Sequence, residues 1–397
     1  MQAEAMTTAA STPRNRLLVF FVMGIALMVV PLVAQQFGNA WVRILDTALL
    51  YVLLALGLNI VVGYAGLLDL GYVAFYAVGA YLFGLLASPQ LTEAFPQLLE
   101  TFPDGFHLPW YLVIPLGAAV AGLFGVLLGA PTLKLRGDYL AIVTLGFGEI
   151  IRVFLNNLDA PVNITNGPKG ISQLDSIKIF GLDLGKRTEV FGFDLASVTL
   201  YYYLFLLLAI ISVVICYRLE RSRIGRAWMA IREDEIAAKA MGINTRNMKL
   251  LAFGMGATFG GVSGVLFGAF QGFISPESFS LQESVMVVAM VVLGGIGHIP
   301  GVIVGALLLA GLPEVLRNVA GPLQAMTGGR LDPAILRQLL IALAMISIML
   351  ARPRGLWPAP EHRSPMSIAD PMPSVLPATV SNAIPVAAAT PITPPAR

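Results

Sequence analysis

The chain has 397 residues, of which 57% are hydrophobic and 12% are charged, and its formal net charge is +2. Soluble domains carry about 25% charged residues, so this composition excludes an ordinary soluble protein and indicates a chain that lies mostly within a membrane. A single cysteine, Cys216, and three histidines exclude a disulfide framework and offer no cluster of metal ligands. We therefore expect neither a metal ion nor another cofactor.

About ten hydrophobic segments follow one another along the chain. Most of them approach the roughly 18 to 20 residues that a helix needs to cross a bilayer core. They predict an all-α fold, a polytopic membrane helical bundle over residues 17–351, preceded by a short segment, residues 1–16. The segments are Leu17–Ala34, Ile44–Val62, Leu67–Ala87, Trp110–Ala130, Tyr139–Leu155, Leu200–Tyr217, Leu250–Phe273, Ser284–Gly297, Ile299–Leu312 and Ala334–Ala351.

The basic residues predict which side of the membrane each loop occupies. The first segment follows Arg14 and Arg16, and we interpret it as a retained helix rather than a cleaved signal, because its apolar run is long and "PLVAQQ" is a marginal cleavage site. With ten crossings, the loops rich in Lys and Arg fall inside, whereas the outer loop 91–109 has acidic residues and no basic one. Both termini are therefore predicted to be cytoplasmic.

Polar residues inside the apolar segments are costly in hydrocarbon, so each one suggests a role. Asn59 and Asp69 flank the turn "GYAGLL", where Asp69 either caps a helix or helps to gate a pathway. Glu149 and Arg152 are three residues apart, so they either neutralise each other along one helix or line a passage. With Thr144, which shares a segment with Glu149, these residues are the polar candidates for a pathway through the membrane.

A charged island, residues 218–249, separates the sixth and seventh segments. It holds twelve of the chain's 48 charged residues and carries both signs, whereas a loop that only fixes topology needs basic residues alone. Within it, apolar residues recur at three- and four-residue steps, which predicts a short amphipathic helix over residues 224–242 outside the bilayer. Its apolar face includes Trp228 and suits docking into a groove on another protein. Gly242 is a natural stop signal.

Glycines recur in the seventh segment, where Gly260, Gly264 and Gly268 are spaced four residues apart. Such a stripe allows close approach of two helices, and a wall without bulky side chains would also suit the passage of an apolar side chain. Gln271 and Glu283 bracket the turn that follows this segment.

The end of the chain departs from the simple pattern in two places. Segments eight and nine run together through "LGGIGHIPG" and form either a re-entrant hairpin or two tilted helices, since irregular backbone in a membrane must be shielded by protein or face a cavity. After Trp357 the chain is rich in Pro, Ala, Ser and Thr, which predicts a disordered cytoplasmic tail over residues 352–397.

Several stretches carry a family resemblance. "EIAAKAMGIN", residues 235–244, resembles the Glu-Ala-Ala…Gly cytoplasmic loop of bacterial ABC importer permeases, with one residue inserted between Glu235 and the Ala pair. In those proteins this loop docks on the ATP-hydrolysing subunit. "LNIVVGYAGLLDLGYVAFYAVGAY", "LKLRGDYLAIVTLGFGEIIRVFLNN", "ITNGPKGI", "RIGRAWMAIREDEIAAKAMGIN" and "VLGGIGHIPGVIVGA" are similar to the LivM-type permeases of branched-chain amino acid importers, and they occur in the same order over about residues 45–350.

This resemblance implies a permease subunit of an ATP-driven importer of branched-chain or related amino acids in the bacterial inner membrane. The implied partners are a homologous second permease, two cytoplasmic ATPase subunits and a periplasmic amino-acid-binding protein, with lipid around the bundle and no nucleic acid. The charged island would then be the cytoplasmic coupling helix, and the coupling residues would be Arg226, Trp228, Ile231, Glu235, Ala237, Ala238 and Gly242. Selectivity would rest mainly with the external binding protein.

Two alternatives remain open from the sequence. A secondary transporter driven by protons or sodium would need an acidic residue near the middle of the bilayer, and Glu149 is the nearest candidate. A permease for urea or short-chain amides would resemble the same family closely. The chain is not expected to be an enzyme, because no catalytic constellation is recognisable and the stretch nearest to a phosphate-binding loop, "GLDLGKR", has the wrong spacing for one.

Overall fold

The computed structural model describes residues 13–357 except 101, 103, 104, 134, 136, 180, 191, 192, 327–332, 353 and 354. These residues form a helical bundle, and each of the ten predicted apolar segments forms one helix. The helices are α1 (Pro13–Gln36), α2 (Asn39–Asn59), α3 (Val73–Leu86), α4 (Gln90–Ala94), α5 (Pro96–Leu99), α6 (Trp110–Thr132), α7 (Asp138–Asn156), α8 (Ser197–Glu220), α9 (Arg223–Glu233), α10 (Glu235–Ala240), α11 (Thr245–Gln271), α12 (Leu281–Gly294), α13 (Ile299–Met326) and α14 (Pro333–Ala351). The predicted tail lies almost wholly outside the described residues.

Within the described part of the chain, five helical stretches are long and apolar enough to cross a membrane. They are Asn39–Tyr64, Trp110–Thr132, Ser197–Glu220, Thr245–Gln271 and Ile299–Leu316. The first of these is α2 extended by a π-helical turn, Ile60–Tyr64. By contrast, α3 and α12 have 14 residues each, which corresponds to about 21 Å and falls short of a bilayer core of about 30 Å.

Segments eight and nine form two helices that pack closely against each other. A turn at residues 295–298 joins α12 to α13, and α13 continues to Met326, well beyond the predicted end at Leu312. Glycines on both helices allow the contact: a Cβ atom added at Gly294 would overlap the Gly301 carbonyl oxygen, and one added at Gly305 would overlap the Met290 carbonyl oxygen. In the turn itself, the backbone N–H of Gly297 donates a hydrogen bond to the Asn59 Oδ1 at 2.9 Å, so this irregular backbone has a protein partner, as it needs in a membrane.

The helix α11 lies at the centre of the bundle, between α3 and α6. A Cβ atom added at Gly264 would overlap the Tyr76 carbonyl oxygen of α3, and one added at Gly261 would overlap the Gly117 carbonyl oxygen of α6. Because neighbouring backbones fill the space on both faces, glycine is the residue that permits this packing.

Contacts between loops define the two ends of the bundle. Short strands β1 (Ile171–Ser172) and β6 (Phe273–Ile274) pair antiparallel, so the loops after α7 and α11 meet at what we call the strand end. The loop after α7 also contains the hairpins β2 (Lys178–Ile179) with β3 (Leu182–Asp183) and β4 (Thr188–Val190) with β5 (Phe193–Leu195).

At the opposite end, which we call the island end, Arg232 of α9 donates a hydrogen bond to the Gly63 carbonyl oxygen after α2. There the backbone N–H of Trp357 also donates to the Gly294 carbonyl oxygen at 3.1 Å. These contacts agree with helices that alternate in direction through the bundle.

Candidate functional site

The charged island forms two helices, so the prediction of one helix over residues 224–242 is wrong. The chain breaks at Asp234, whose backbone is extended with φ −154° and ψ 111°. Its side chain accepts hydrogen bonds from the backbone N–H groups of Ile236 at 2.7 Å and Ala237 at 3.0 Å, so that it caps α10. An aspartate that binds nearby N–H groups favours a helix start over a helix interior, which is the physical reason for the break.

The apolar face of the island packs on the chain's own bundle rather than facing outward. Trp228 is fully buried, and its Nε1–H donates a hydrogen bond to the Met248 carbonyl oxygen of α11 at 2.7 Å. Ile231 and Ala238 are buried as well. The predicted use of this face as the contact with another protein is therefore corrected: in this structure it anchors the island to α11.

Arg232 connects α9 to two other parts of the island end. Its Nη1 donates to the Gly63 carbonyl oxygen, and a Cβ atom added at Gly66 would lie 2.9 Å from the Arg232 Cγ. A Cβ atom added at Gly297, in the turn between α12 and α13, would lie 2.8 Å from the Arg232 Nη1. Gly63, Gly66 and Gly297 thus form a cradle around Arg232, and a side chain at Gly66 or Gly297 would narrow it.

Asn59 completes this junction from inside the bundle. It is buried, and its Oδ1 accepts a hydrogen bond from the backbone N–H of Gly297 at 2.9 Å. It immediately precedes the π-helical turn Ile60–Tyr64, and single π turns inside helices occur frequently at functional sites. Asn59 therefore connects the end of α2 to the α12–α13 turn. Arg232 of α9 lies against Gly297 in the same turn.

A buried ion pair joins α10 to α11. The Nζ of Lys249 lies 2.8 Å from the Oε1 of Glu235, and the Lys249 side chain is only 9% exposed. In the sequence Lys249 counts only as one of the island's charges, and its pairing with Glu235 was not predicted. A usable signal was its position, three and four residues before the apolar residues Ala252 and Phe253, which places it on the buried face of α11.

The solvent-facing side of the island presents apolar side chains. Ile236 is 73% exposed and Met241 is 84% exposed, and Ala237 and Gly242 beside them are exposed too. Gly242 has φ +87°, a left-handed conformation that favours glycine and ends the motif. We call Ile236, Ala237, Met241 and Gly242 the docking patch. Arg226 lies apart from it and donates to the Arg221 carbonyl oxygen at 2.9 Å.

Two of the polar pathway candidates, Asp69 and Thr144, come together. Asp69 accepts a hydrogen bond from the backbone N–H of Gly71 at 2.9 Å, and Thr144 of α7 accepts one from the backbone N–H of Leu70 at 3.1 Å. Both side chains line one small cavity that α3, α6, α7 and α11 enclose. The second oxygen of Asp69, Oδ2, is buried without a hydrogen-bond partner among the described residues. Asp69 thus orders the loop before α3 and keeps one oxygen inside the bundle.

Glu149 lies elsewhere, near the strand end of α7. Arg152 binds it at 3.1 Å and also binds Glu277 at 3.3 Å. The prediction that Glu149 and Arg152 pair along one helix is met, and Glu277 adds a second carboxylate. This group connects α7 to the turn before α12.

The glycine stripe of α11 does not face a passage in the described structure. Added Cβ atoms would meet α3 at each of its positions: Phe75 Cβ at 3.0 Å from Gly260, the Tyr76 carbonyl oxygen at Gly264, and Phe83 Cδ1 at 3.0 Å from Gly268. The expectation that these glycines line a pathway is corrected accordingly, because the backbone of α3 covers that face. Their role here is helix packing.

Comparisons with known proteins agree along most of the bundle. The family model described as "Branched-chain amino acid transport system / permease component" matches residues 40–349. The high-affinity branched-chain amino acid transport system permease protein LivM of Escherichia coli (strain K12) is 41% identical over 329 residues, which cover 80% of this chain and 70% of that protein. LivM of Salmonella typhimurium (strain LT2) is 42% identical over 329 residues, which again cover 80% of this chain and 70% of that protein.

A second kind of permease from these bacteria is also similar. The high-affinity branched-chain amino acid transport system permease protein LivH of Salmonella typhimurium (strain LT2) is 28% identical over 271 residues, covering 68% of this chain and 82% of that protein. LivH of Escherichia coli (strain K12) gives the same values. No solved structure matches this chain significantly.

Proposed function

This chain belongs to the family of branched-chain amino acid transport permeases, and from this premise we propose that it carries branched-chain or closely related amino acids through the bacterial inner membrane. It is a membrane-embedded permease subunit of an ABC importer. The observation that carries the proposal is the similarity to LivM over 80% of the chain, together with the family match over residues 40–349, which contain the charged island and the α12–α13 turn.

The partners are proposed from the relatives. Escherichia coli and Salmonella typhimurium each have a LivM and a LivH permease protein in a high-affinity branched-chain system, and this chain is similar to both. This supports a pair of homologous permeases, with this chain in the LivM position. Two ATPase subunits would supply the energy, and a binding protein outside the membrane would deliver the amino acid.

The island end is the proposed contact with the ATPase subunits. Exposed apolar side chains that lie together mark protein contacts, and Ile236 and Met241 are the most exposed large apolar side chains of the island. The island end would therefore be cytoplasmic and the strand end periplasmic. Residues 17–351 would form the permease domain, residues 218–249 its coupling loop, and residues 352–397 a cytoplasmic tail.

Force on the docking patch has two routes into the bundle. The first route runs through Glu235 to Lys249 near the start of α11, and α11 packs on α3 and α6. The second route runs through α9 to Arg232, and so to the π-helical turn after α2 and the α12–α13 turn. We propose that movement of the ATPase subunits shifts these two junctions together, because the same short helix pair holds both.

The function is tested by purifying the importer from its native membrane and reconstituting it in liposomes. We expect ATPase subunits to accompany the chain, and uptake of L-leucine to require ATP and binding protein. If the chain alone in liposomes accumulated solute against a gradient, or if urea or acetamide were the transported solute, the proposal would be overturned.

The docking patch gives a separate prediction. Replacing the exposed Ile236 with glutamate places a charge in the proposed contact, and we expect ATPase subunits to be lost during purification of the complex. Burial of an unpaired charge in an interface costs several kcal/mol, and each 1.4 kcal/mol is about a tenfold loss of affinity. The control is Leu182→Glu, at an exposed position of the strand end, which should leave the ATPase subunits bound. Equal retention by both variants would contradict the assignment.

A further inference from the structure

A cavity near the strand end, separate from the sites described above, combines charge with an aromatic wall. Its volume is about 260 Å³, close to the lower end of the roughly 300 to 1,000 Å³ that small-molecule sites occupy. It lies between α2, α3, α11 and the start of α12, and its lining includes Thr47, Tyr51, Tyr76, Phe267, Gln271 and Glu283. A cavity of this size suits a small molecule.

One wall of the cavity carries the negative charge of Glu283, whose hydrogen-bond partner is a neutral hydroxyl group. Glu283, in the first turn of α12, accepts a hydrogen bond from the Tyr51 hydroxyl through its Oε2 at 2.8 Å. Among the described residues, no Lys, Arg or His forms an ion pair with Glu283. A half-buried carboxylate in this state favours a cation from outside the chain, since a buried charge is costly unless it is paired.

A positive charge, that of Arg43, lies beside the same cavity, next to its lining residues Phe270 and Gln271. The Nη2 of Arg43 donates to the Oε1 of Gln271, and the guanidinium lies 5.3 Å from the centre of the Phe270 ring. No Asp or Glu of the described chain forms an ion pair with Arg43. Arg43, Thr47 and Tyr51 follow each other on α2 at four-residue spacing, so Arg43 and the Tyr51 that binds Glu283 lie on the same face of that helix.

The remaining wall is apolar. Tyr76 and Phe267 have ring centres 5.2 Å apart, and Phe279 packs on Tyr76 at the same distance. Such an aromatic surface takes up an aliphatic side chain and gives it little to hydrogen-bond with. The cavity therefore offers three different surfaces to one small molecule: an anion, a cation and an aromatic wall.

We propose that this cavity binds the zwitterion of an α-amino acid with an apolar side chain. The ammonium group would lie on Glu283, the carboxylate toward Arg43 and Gln271, and the side chain against Tyr76 and Phe267. This inference rests on the proposed function and deepens it, because it places an intermediate binding site at the strand end of this chain. It also selects amino acids over urea and short-chain amides, which carry no charge to match either pole.

The test uses the purified importer complex and a diazirine analogue of L-leucine, which labels the protein on illumination. We expect label on peptides of α11 and α2 that line the cavity. L-leucine should displace it at a concentration at least about tenfold lower than 4-methylpentanoate, which lacks the ammonium, or 3-methylbutylamine, which lacks the carboxylate, because each charged hydrogen bond contributes about ten- to a hundredfold. Acetamide should not displace it. The site is overturned if any of these analogues displaces the label as well as L-leucine does, or if the label is found only outside the peptides that line the cavity.

Variants give a second readout. Glu283→Gln should lower the labelling about tenfold or more, and Glu93→Gln, at an exposed carboxylate of α4 outside the cavity, should label as the unchanged protein does. If Glu283→Gln does not assemble, the displacement series on the unchanged protein decides the question. Uptake of L-leucine without label in the cavity overturns the site alone, whereas label displaced by L-leucine without any uptake overturns the proposed function and keeps the site.

Discussion

Replacing Gly264 with alanine is expected to prevent α11 from packing on α3 and so to remove most of the folded permease from the membrane. The added Cβ atom would overlap the Tyr76 carbonyl oxygen and lie 2.6 Å from the Ala80 backbone nitrogen. Overpacking against side chains costs about 1–3 kcal/mol and occasionally more. Here the obstacle is the backbone of a helix, which cannot rotate away, so we expect a cost at or above the top of that range.

Two other glycines provide the controls. No heavy atom lies within 4 Å of a Cβ added at Gly146 of α7, and alanine favours a helix over glycine by about 0.5–1 kcal/mol, so Gly146→Ala should be neutral or slightly stabilising. At Gly268 the nearest obstacles are the side chains of Ile274 and Phe83, at 2.9 and 3.0 Å, which can shift. Gly268→Ala should therefore fall between the two. Thermal unfolding of the detergent-purified complex measures the order, and a melting temperature for Gly264→Ala equal to that for Gly146→Ala would contradict the packing argument.

The helices of the bundle could be predicted from the sequence because a membrane imposes a length. Each apolar run is bounded by charged, Gly- or Pro-rich residues, and a run in hydrocarbon must satisfy its backbone internally, which leaves the helix as the solution. The ends were harder to predict. α13 runs past Leu312 to Met326 through residues such as Glu314 and Arg317, because a helix continues as long as its hydrogen bonds do, whether or not the sequence remains apolar.

The two sides of the charged island could not be told apart from its sequence. A stripe with Trp228 looks the same whether it faces the chain's own helices or a partner, since both environments exclude water. The structure shows it on α11, bonded to Met248, and leaves Ile236 and Met241 exposed instead. The break at Asp234 could have been foreseen from its side chain, because Asp followed by Glu is a helix-start pattern.

Contacts between residues that are far apart along the chain could not be predicted from the sequence. Arg232 binds a carbonyl 169 positions away along the chain, and the strand-end cavity joins Arg43 and Tyr51 to Gln271 and Glu283 across more than half of the sequence. From the sequence alone, Gln271 and Glu283 could be recognised only as residues on either side of a turn. Which apolar helix carries the matching Arg and Tyr depends on how the helices pack, and that packing is decided by glycine contacts rather than by local periodicity.

Replacing Glu235 with lysine is expected to uncouple ATP hydrolysis from substrate while the chain still inserts into the membrane. The variant would place a second ammonium beside that of Lys249, whose side chain is 9% exposed. Removing one partner from a buried ion pair costs about 3–5 kcal/mol, and because Glu235 is 32% exposed the cost should lie toward the lower value. The start of α10 would then separate from α11, and the docking patch would lose its direct connection to α11 through Lys249.

The control and the rescue make this prediction specific. Glu233→Lys changes the net charge identically, but Glu233 is exposed and no ion pair holds it in the described part of the chain, so coupling should persist.

In the double variant Glu235→Lys with Lys249→Glu, the pair re-forms with reversed charges, and a substantial part of the substrate-stimulated ATPase rate should return. The measurement is ATP hydrolysis by the reconstituted importer with and without substrate-loaded binding protein. Because a general loss of positive or negative charge cannot explain a rescue by exchange, recovery in the double variant would identify the Glu235–Lys249 contact itself as the link between α10 and α11. Normal stimulation in Glu235→Lys alone would show that force reaches the bundle by another route, of which the Arg232 cradle is the one that the structure offers.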